Sequence, residues 1–277
     1  MKYLKIVLSV LFVLLIAFFA AKGFMQVWRE HSSPARRAVS RPTLEPKPDF
    51  VAVRPVPKGK MAIILDDWGN SSVVLKQAIA IGRPLTLSVL PHLPFSSRIS
   101  RQARQNGLGV MLHMPMEAKN PNQPLEPHTI LTTSSDAEII KFLEDALRSV
   151  PEAEGVNNHQ GSAATSDTRV MKTVLQYLKK RGLFFIDSEV IATSVGGKVA
   201  KETGIAFAKR DVFIDNVATV EAVKTKLLQA QKIALKYGQA VVIGHDKKPT
   251  LEAIREMIPE FDKNGIELVL VRELLKK

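Results

Sequence analysis

From Lys60 onward, hydrophobic residues gather in short, nearly unbroken runs: MAIIL, LTLSVL, VMLHM, GVNNH, LFFID, IAFA continuing into VFI, AVVIG and ELVLV. Runs of this length predict strands, and because they are continuous rather than alternating, the strands are expected to be buried on both faces. Between them the apolar positions recur at helical spacing over residues 71–81, 97–106, 136–150, 167–181, 194–203, 220–237 and 251–264. Ser135 and Glu138 have the spacing of a capping box, and Gly107, Gly182, Gly204, Gly238 and Gly265 sit where helices end. Strand followed by helix, repeated, predicts a parallel sheet covered by helices. Seven or eight such units favour a closed barrel over an open sheet.

Ahead of Lys60 the pattern changes. Residues 1–24 read as a signal peptide or signal anchor: MKYLK carries two lysines, and the run from Ile6 to Ala21 is apolar except at Ser9. This run is shorter than the roughly 20 residues that cross a bilayer comfortably. Ala20, Ala21 and Gly23 offer a cleavage site, while Lys22 could snorkel and let the span continue to Trp28, so both readings stand. Export follows from either reading, to the periplasm or to the outer face of the inner membrane, with membrane contact only through this segment. Arg36, Arg37 and Arg41 after the span run against the charge rule for that orientation. Residues 25–57 hold six prolines and no apolar period, which predicts an extended basic linker before a domain at 58–277.

The chain has 277 residues, 45% of them hydrophobic, and no cysteine, so disulfides and thiolate metal sites are excluded. A net charge of +12 resembles that of a nucleic-acid binder until the charges are located. Residues 1–60 carry 11 Lys and Arg against 3 Asp and Glu, leaving 28 basic against 24 acidic residues for the rest. No basic stripe with interleaved aromatics appears in the domain, and a nucleic-acid partner is not expected.

In a βα barrel the C-terminal strand ends form one rim, where sites are built. Polar residues reach that rim at Asp66 and Asp67, His92, His113, Asn157, Asn158 and His159, Asp187 and Ser188, Asp211 and Asp215, and His245. Four of the six histidines fall at strand ends, with His31 in the tail and His128 in a long loop. Two adjacent carboxylates repel, and burying them is costly unless a cation or hydrogen-bond donors compensate. A carboxylate and imidazoles around an open position form the ligand set of a hydrolytic divalent metal. Zinc suits them, as do iron, cobalt and nickel. Plainer roles compete: helix capping for Asp66 and Asp67, turn hydrogen bonds for Asn157 and Asn158, capping for Asp187 and Ser188, and pairing of Asp211 and Asp215 with Lys209 and Arg210. No GxSxG elbow is present, and GGKVAKETG lacks the Walker spacing.

AIILDDWG, LSVLPH, LHMPME, GVNNHQGS, GLFFIDS, KRDVFIDN and AVVIGH with TLEAI and GIELVLV behind it, in this order, resemble the divergent polysaccharide deacetylase family. That family is related to the carbohydrate deacetylases of chitin and peptidoglycan. The resemblance implies an α/β fold, a deformed (β/α) barrel, and metal-dependent removal of acetyl groups from an N-acetylated envelope polysaccharide or oligosaccharide. It implies Asp66 as base and Asp67 as ligand of a divalent metal, zinc foremost. The HxxxH and arginine–proline motifs of the better-known enzymes are missing, and His113 and His159 stand in as ligands. His245 matches the late catalytic histidine, with Asp187 expected to orient it, while His92, Asn157, Asn158 and Ser188 fall to the substrate groove. The missing HxxxH motif also leaves open an exported, non-catalytic protein that binds glycan or another protein. Residues 117–133 are expected to loop over the rim.

Overall fold

The computed structural model describes Lys22 and residues 56–275. The chain divides into two units, Met1–Val53 and Arg54–Lys277, and the second is the subject here. The signal and linker expectations therefore lie outside the described residues except at Lys22, Val56 and Pro57. Among the described residues no helix is long and apolar enough to cross a membrane.

The elements are β1 (Gly59–Trp68), α1 (Leu75–Ala80), β2 (Thr86–Val89), α2 (Ser96–Gln105), β3 (Gly109–Met116), α3 (Asp136–Ser149), β4 (Gly155–Gln160), a 3-10 turn (Ala164–Ser166), α4 (Thr168–Lys180) and β5 (Phe184–Asp187). They continue with α5 (Gly196–Thr203), β6 (Phe207–Lys209), β7 (Val212–Phe213), α6 (Val220–Tyr237), β8 (Gln239–His245), α7 (Lys248–Asn264), β9 (Ile266–Leu268) and α8 (Val271–Leu274). Helix starts follow local chemistry. Ser135 caps α3 in a full capping box with Glu138, an arrangement typically contributing about 1 kcal/mol. α1 begins at Leu75 rather than at residue 71, because the Ser71 hydroxyl accepts the Val73 amide and folds a turn there first.

The strands pair in the order β6-β5-β4-β3-β2-β1-β8-β7, and every pairing is parallel. β6 pairs with β5 and β7 pairs with β8, with only Arg210 and Asp211 between them. One short segment thus bridges the two ends of the sheet without a ladder between β6 and β7, and the result is the deformed (β/α) barrel expected from the sequence, joined at its ends by the chain rather than by strand pairing. β9 pairs with the start of β1, below the point where β2 begins.

The pleat sorts residues into two apolar regions. Met61, Ile63 and Leu65 of β1 face the helices, whereas Ala62 and Ile64 join Met111, Phe184, Ile186, Val241 and Ile243 in a separate interior cluster. Val269 and Val271 belong to the same interior cluster and the half-buried Leu274 and Leu275 pack against it, so this segment fills the barrel floor. Each inward column then changes character going up: Ile64 gives way to Asp66, Met111 to His113, Gly155 to Asn157, Ile186 to Ser188, and Ile243 to His245. The lower barrel is lined by apolar side chains, and the polar side chains gather at the rim.

Gly155 shows how tightly the interior is filled. A Cβ there would lie 2.1 Å from the Phe184 ring. Gly155→Ala is expected to destabilise the domain by about 1–3 kcal/mol through overpacking, measurable as a lowered midpoint in urea unfolding.

Candidate metal centre

The site begins with an irregularity in β1. Leu65 pairs with Leu87 and Trp68 with Val89, so Asp66 and Asp67 together oppose the single residue Ser88. This is a β-bulge. Asp67 sits in the left-handed region at φ 66°. In a regular strand two consecutive side chains point to opposite faces. The bulge lets both carboxylates face the mouth and sends Trp68, fully buried, back to the helix side.

His113 lies opposite Asn157 in the β3–β4 ladder, and His159, opposite Pro115, stands two residues further along β4. Asp67 Oδ1 lies 3.3 Å from His113 Nε2 and 3.2 Å from His159 Nδ1, and the two nitrogens are 3.1 Å apart. Bonds of about 2.0 Å to a tetrahedral zinc put its ligand atoms roughly 3.3 Å apart, so the triangle has the size of one face of such a site. Asp67 Oδ1 is buried and without a hydrogen bond, an acceptor facing two ring nitrogens. These residues fit a divalent cation.

Asn157 settles how His113 presents itself. Its Nδ2 donates to Asp66 Oδ1 (2.9 Å), which can only accept as a carboxylate, so its Oδ1 must face His113 Nδ1 (2.8 Å). The Ser88 hydroxyl donates to the same Oδ1 at 2.5 Å. His113 Nδ1 therefore carries its proton, and Nε2 is directed at Asp67 and at Asp66 Oδ2, 3.6 Å away. Burial favours the neutral ring, but Asp66 and then Asp67 outweigh it and raise the His113 pKa. The place between these groups attracts positive charge, whether a proton on Nε2 or a metal that displaces it.

The carboxylates differ. Burial raises the Asp66 pKa against the pull of His113 and Asn157. Burial also opposes ionisation of Asp67, but its contacts with His113 and His159 prevail and hold its carboxyl well below the usual range. Asp246, beside the mouth, is pushed up to about 6 by burial and by Asp67.

On the other side of the mouth, His245 pairs with Asp66 in the β1–β8 register and points Nε2 to within 3.6 Å of Asp67 Oδ2. Its Nδ1 contacts Asp215 Oδ1 at 2.8 Å, while Asp215 Oδ2 accepts the His245 amide and the Thr250 hydroxyl, both at 2.8 Å. Burial lowers the His245 pKa, but Asp215 overcomes it and the net shift is upward.

Asp66, Asp67, His113, His159 and His245 thus converge. Other expected residues lie elsewhere or serve differently. The carboxylate that orients His245 is Asp215, not Asp187: β7 is the neighbour of β8, whereas Asp187 accepts from Ser194 Oγ (2.5 Å) and the Glu189 amide (2.8 Å). Asp215 is correspondingly not the partner of Arg210, whose guanidinium donates to the carbonyls of Ser188 (2.6 Å) and Glu189 (2.8 Å). Lys209 pairs with Glu189, and Asp211 accepts the Val241 amide. Asn157, Asn158 and Ser188 are not placed to contact a substrate. All three are buried, Asn158 accepting the Ser188 amide and Ser188 donating to the Asn158 carbonyl. His92 belongs to another group of side chains, with His128 and Asp145.

The family profile described as divergent polysaccharide deacetylase matches residues 63–275, and the chain belongs to that family. It is 32% identical over 223 residues to the uncharacterised protein YibQ of Escherichia coli K12, a match spanning 80% of this chain and 69% of that one. The crystal structure of an uncharacterised Agrobacterium tumefaciens C58 protein is similar with a TM-score of 0.74 and 26% identity, covering 78% of this chain and 89% of that chain. A pseudoenzyme of the CE4 family from Bacillus anthracis shares the fold, with a TM-score of 0.51 at 15% identity over 79% of this chain and 66% of its own. The protein is therefore deacetylase-like in family and fold.

Replacing His113 or His159 by Ala should abolish stoichiometric zinc uptake at this centre, read by isothermal titration calorimetry. Asn157→Ala, which touches no metal, is expected to weaken zinc binding by roughly 10- to 100-fold, because it frees both Asp66 and the His113 ring.

Proposed function

We propose that this protein is a metal-dependent hydrolase that removes acetyl groups from an N-acetylated envelope polysaccharide or oligosaccharide. One observation carries the reading. The Asp67–His113–His159 triangle has a second carboxylate, Asp66, on one side and an Asp-supported imidazole, His245, on another. A divalent ion, with zinc the best match to two imidazoles and a carboxylate, would be held by Asp67 Oδ1, His113 Nε2 and His159 Nδ1. Once bound, it would polarise the acetyl carbonyl and acidify a water.

The chain's own residues supply the proton traffic. Asp66, with Oδ1 occupied by Asn157, takes the proton of the attacking water at Oδ2. His245 has Nδ1 fixed on Asp215, so a proton on Nε2 is presented to the nitrogen that leaves as the amine. Asp215 favours the protonated ring and holds its plane. The lower barrel is filled by apolar side chains, so among the described residues the reactive groups lie at the rim, where a glycan would be met. The apolar run at residues 6–21 supports export, to the periplasm or to the outer face of the inner membrane, where such a polymer would be met.

Acetate release from chitooligosaccharide and from N-acetylated peptidoglycan, measured with the zinc-loaded full chain in detergent, tests the reading. Asp66→Asn and His245→Ala should each lower kcat by roughly 10²- to 10⁴-fold while zinc content stays unchanged. A zinc-loaded chain that binds either glycan without releasing acetate would instead support a non-catalytic envelope protein on the same barrel.

A further inference from the structure

Five non-glycine residues among those described have a left-handed backbone: Asp67 (φ 66°), His92 (61°), His128 (60°), Gln160 (54°) and Glu189 (46°). Such residues are uncommon, and strain of this kind concentrates at functional sites. Asp67 belongs to the first centre, and Gln160, whose side-chain amide lies 3.4 Å from His159 Nε2, adjoins it. His92 and His128 meet instead at a second cluster with Asp145.

Three separate segments build this cluster. His92 follows β2, His128 lies in the loop between β3 and α3, and Asp145 belongs to α3. Asp145 Oδ2 is 3.5 Å from His92 Nε2 and 3.2 Å from His128 Nδ1, whereas its Oδ1 is held by Arg148 at 2.7 Å. Contacts outside the cluster hold the His128 ring and the backbone that carries His92. The His128 ring stacks on Phe142 with centroids 5.3 Å apart, and the His92 amide donates to Ser149 Oγ at 3.1 Å. The two rings meet edge to face at 5.1 Å, which brings both to one carboxylate oxygen without stacking them on each other. The oxygen-to-nitrogen separations again approach the roughly 3.3 Å edge of a tetrahedral zinc site. Partial exposure of all three side chains leaves room for water in the remaining positions.

We propose that His92, His128 and Asp145 form a second metal site, taking one divalent ion of the zinc, nickel or cobalt type. Two imidazoles favour such ions over magnesium or calcium. The ion would act as a staple for the long loop. That loop is already tied at its ends: Ile130 exchanges backbone bonds with Pro115 and Glu117, and Arg169 grips the Thr132 and Ser134 carbonyls. Between these ties and the rim the loop carries Pro124, whose carbonyl lies 3.4 Å from the Gln160 amide, next to His159. Fastening His128 to Asp145 would hold this wall of the groove in one position.

Native mass spectrometry of the metal-stripped full chain in detergent, titrated with zinc at micromolar free concentration, tests this independently of any activity. The expected stoichiometry is two ions for the unmodified chain, one for His113→Ala, one for His128→Ala or His92→Ala, and none for His113→Ala combined with His128→Ala. If the first centre takes no zinc, the unmodified chain should hold one ion and lose it in His128→Ala, which still supports the second site. A His113→Ala chain that takes no zinc, or a His128→Ala chain that takes as much as the unmodified one, overturns it.

Discussion

Two carboxylates on consecutive residues cannot share one water-poor mouth unless the backbone turns one of them around and something positive stands between them. The bulge at Asp66 and Asp67 meets the first requirement, spending a left-handed residue so that both side chains face inward. His113, His159 and His245 meet the second, arriving from three other positions on the ring. Most of the polar architecture follows from this constraint. Asn157 exists between Asp66 and His113 as a two-ended clamp, giving a donor to one and an acceptor to the other. A residue with only donors or only acceptors could not serve both.

The arrangement assigns the two carboxylates unlike environments, although they are neighbours in the chain. Asp67 faces two ring nitrogens and stays ionised, whereas Asp66 is more deeply buried and its charged form is disfavoured. Separating a pair in this way is how one site can hold both a ligand and a proton acceptor.

Much of this was legible in the chain. Continuous apolar runs such as MAIIL and AVVIG, with helical windows between them, lead to parallel strands and a barrel, and DDW, LHM, NNH and IGH mark the rim. The partner of His245 was not legible, because it depends on how the ring closes. A short strand that leaves β5 and joins β8 after two residues looks like one element in sequence, and only the closure brings Asp215 beside His245. Burial of Asn157, Asn158 and Ser188 was also hidden: a polar residue at a strand end reads the same whether it faces the groove or braces the next strand. His128 carried no signal of its own, since its place beside His92 is set by a loop with no periodicity.

The floor of the barrel has a consequence for how the protein is made. β9 lies along the start of the domain's first strand, and Val269 and Val271 fill the interior, so the lower end of β1 is completed only when the closing segment of the domain arrives, although β2 is available to its upper end early. A growing chain on the ribosome would lack that plug until the last segment of the domain emerges, leaving the lower interior open and the first strand partly unpaired. The domain should therefore stay loosely packed until its own last segment has been made.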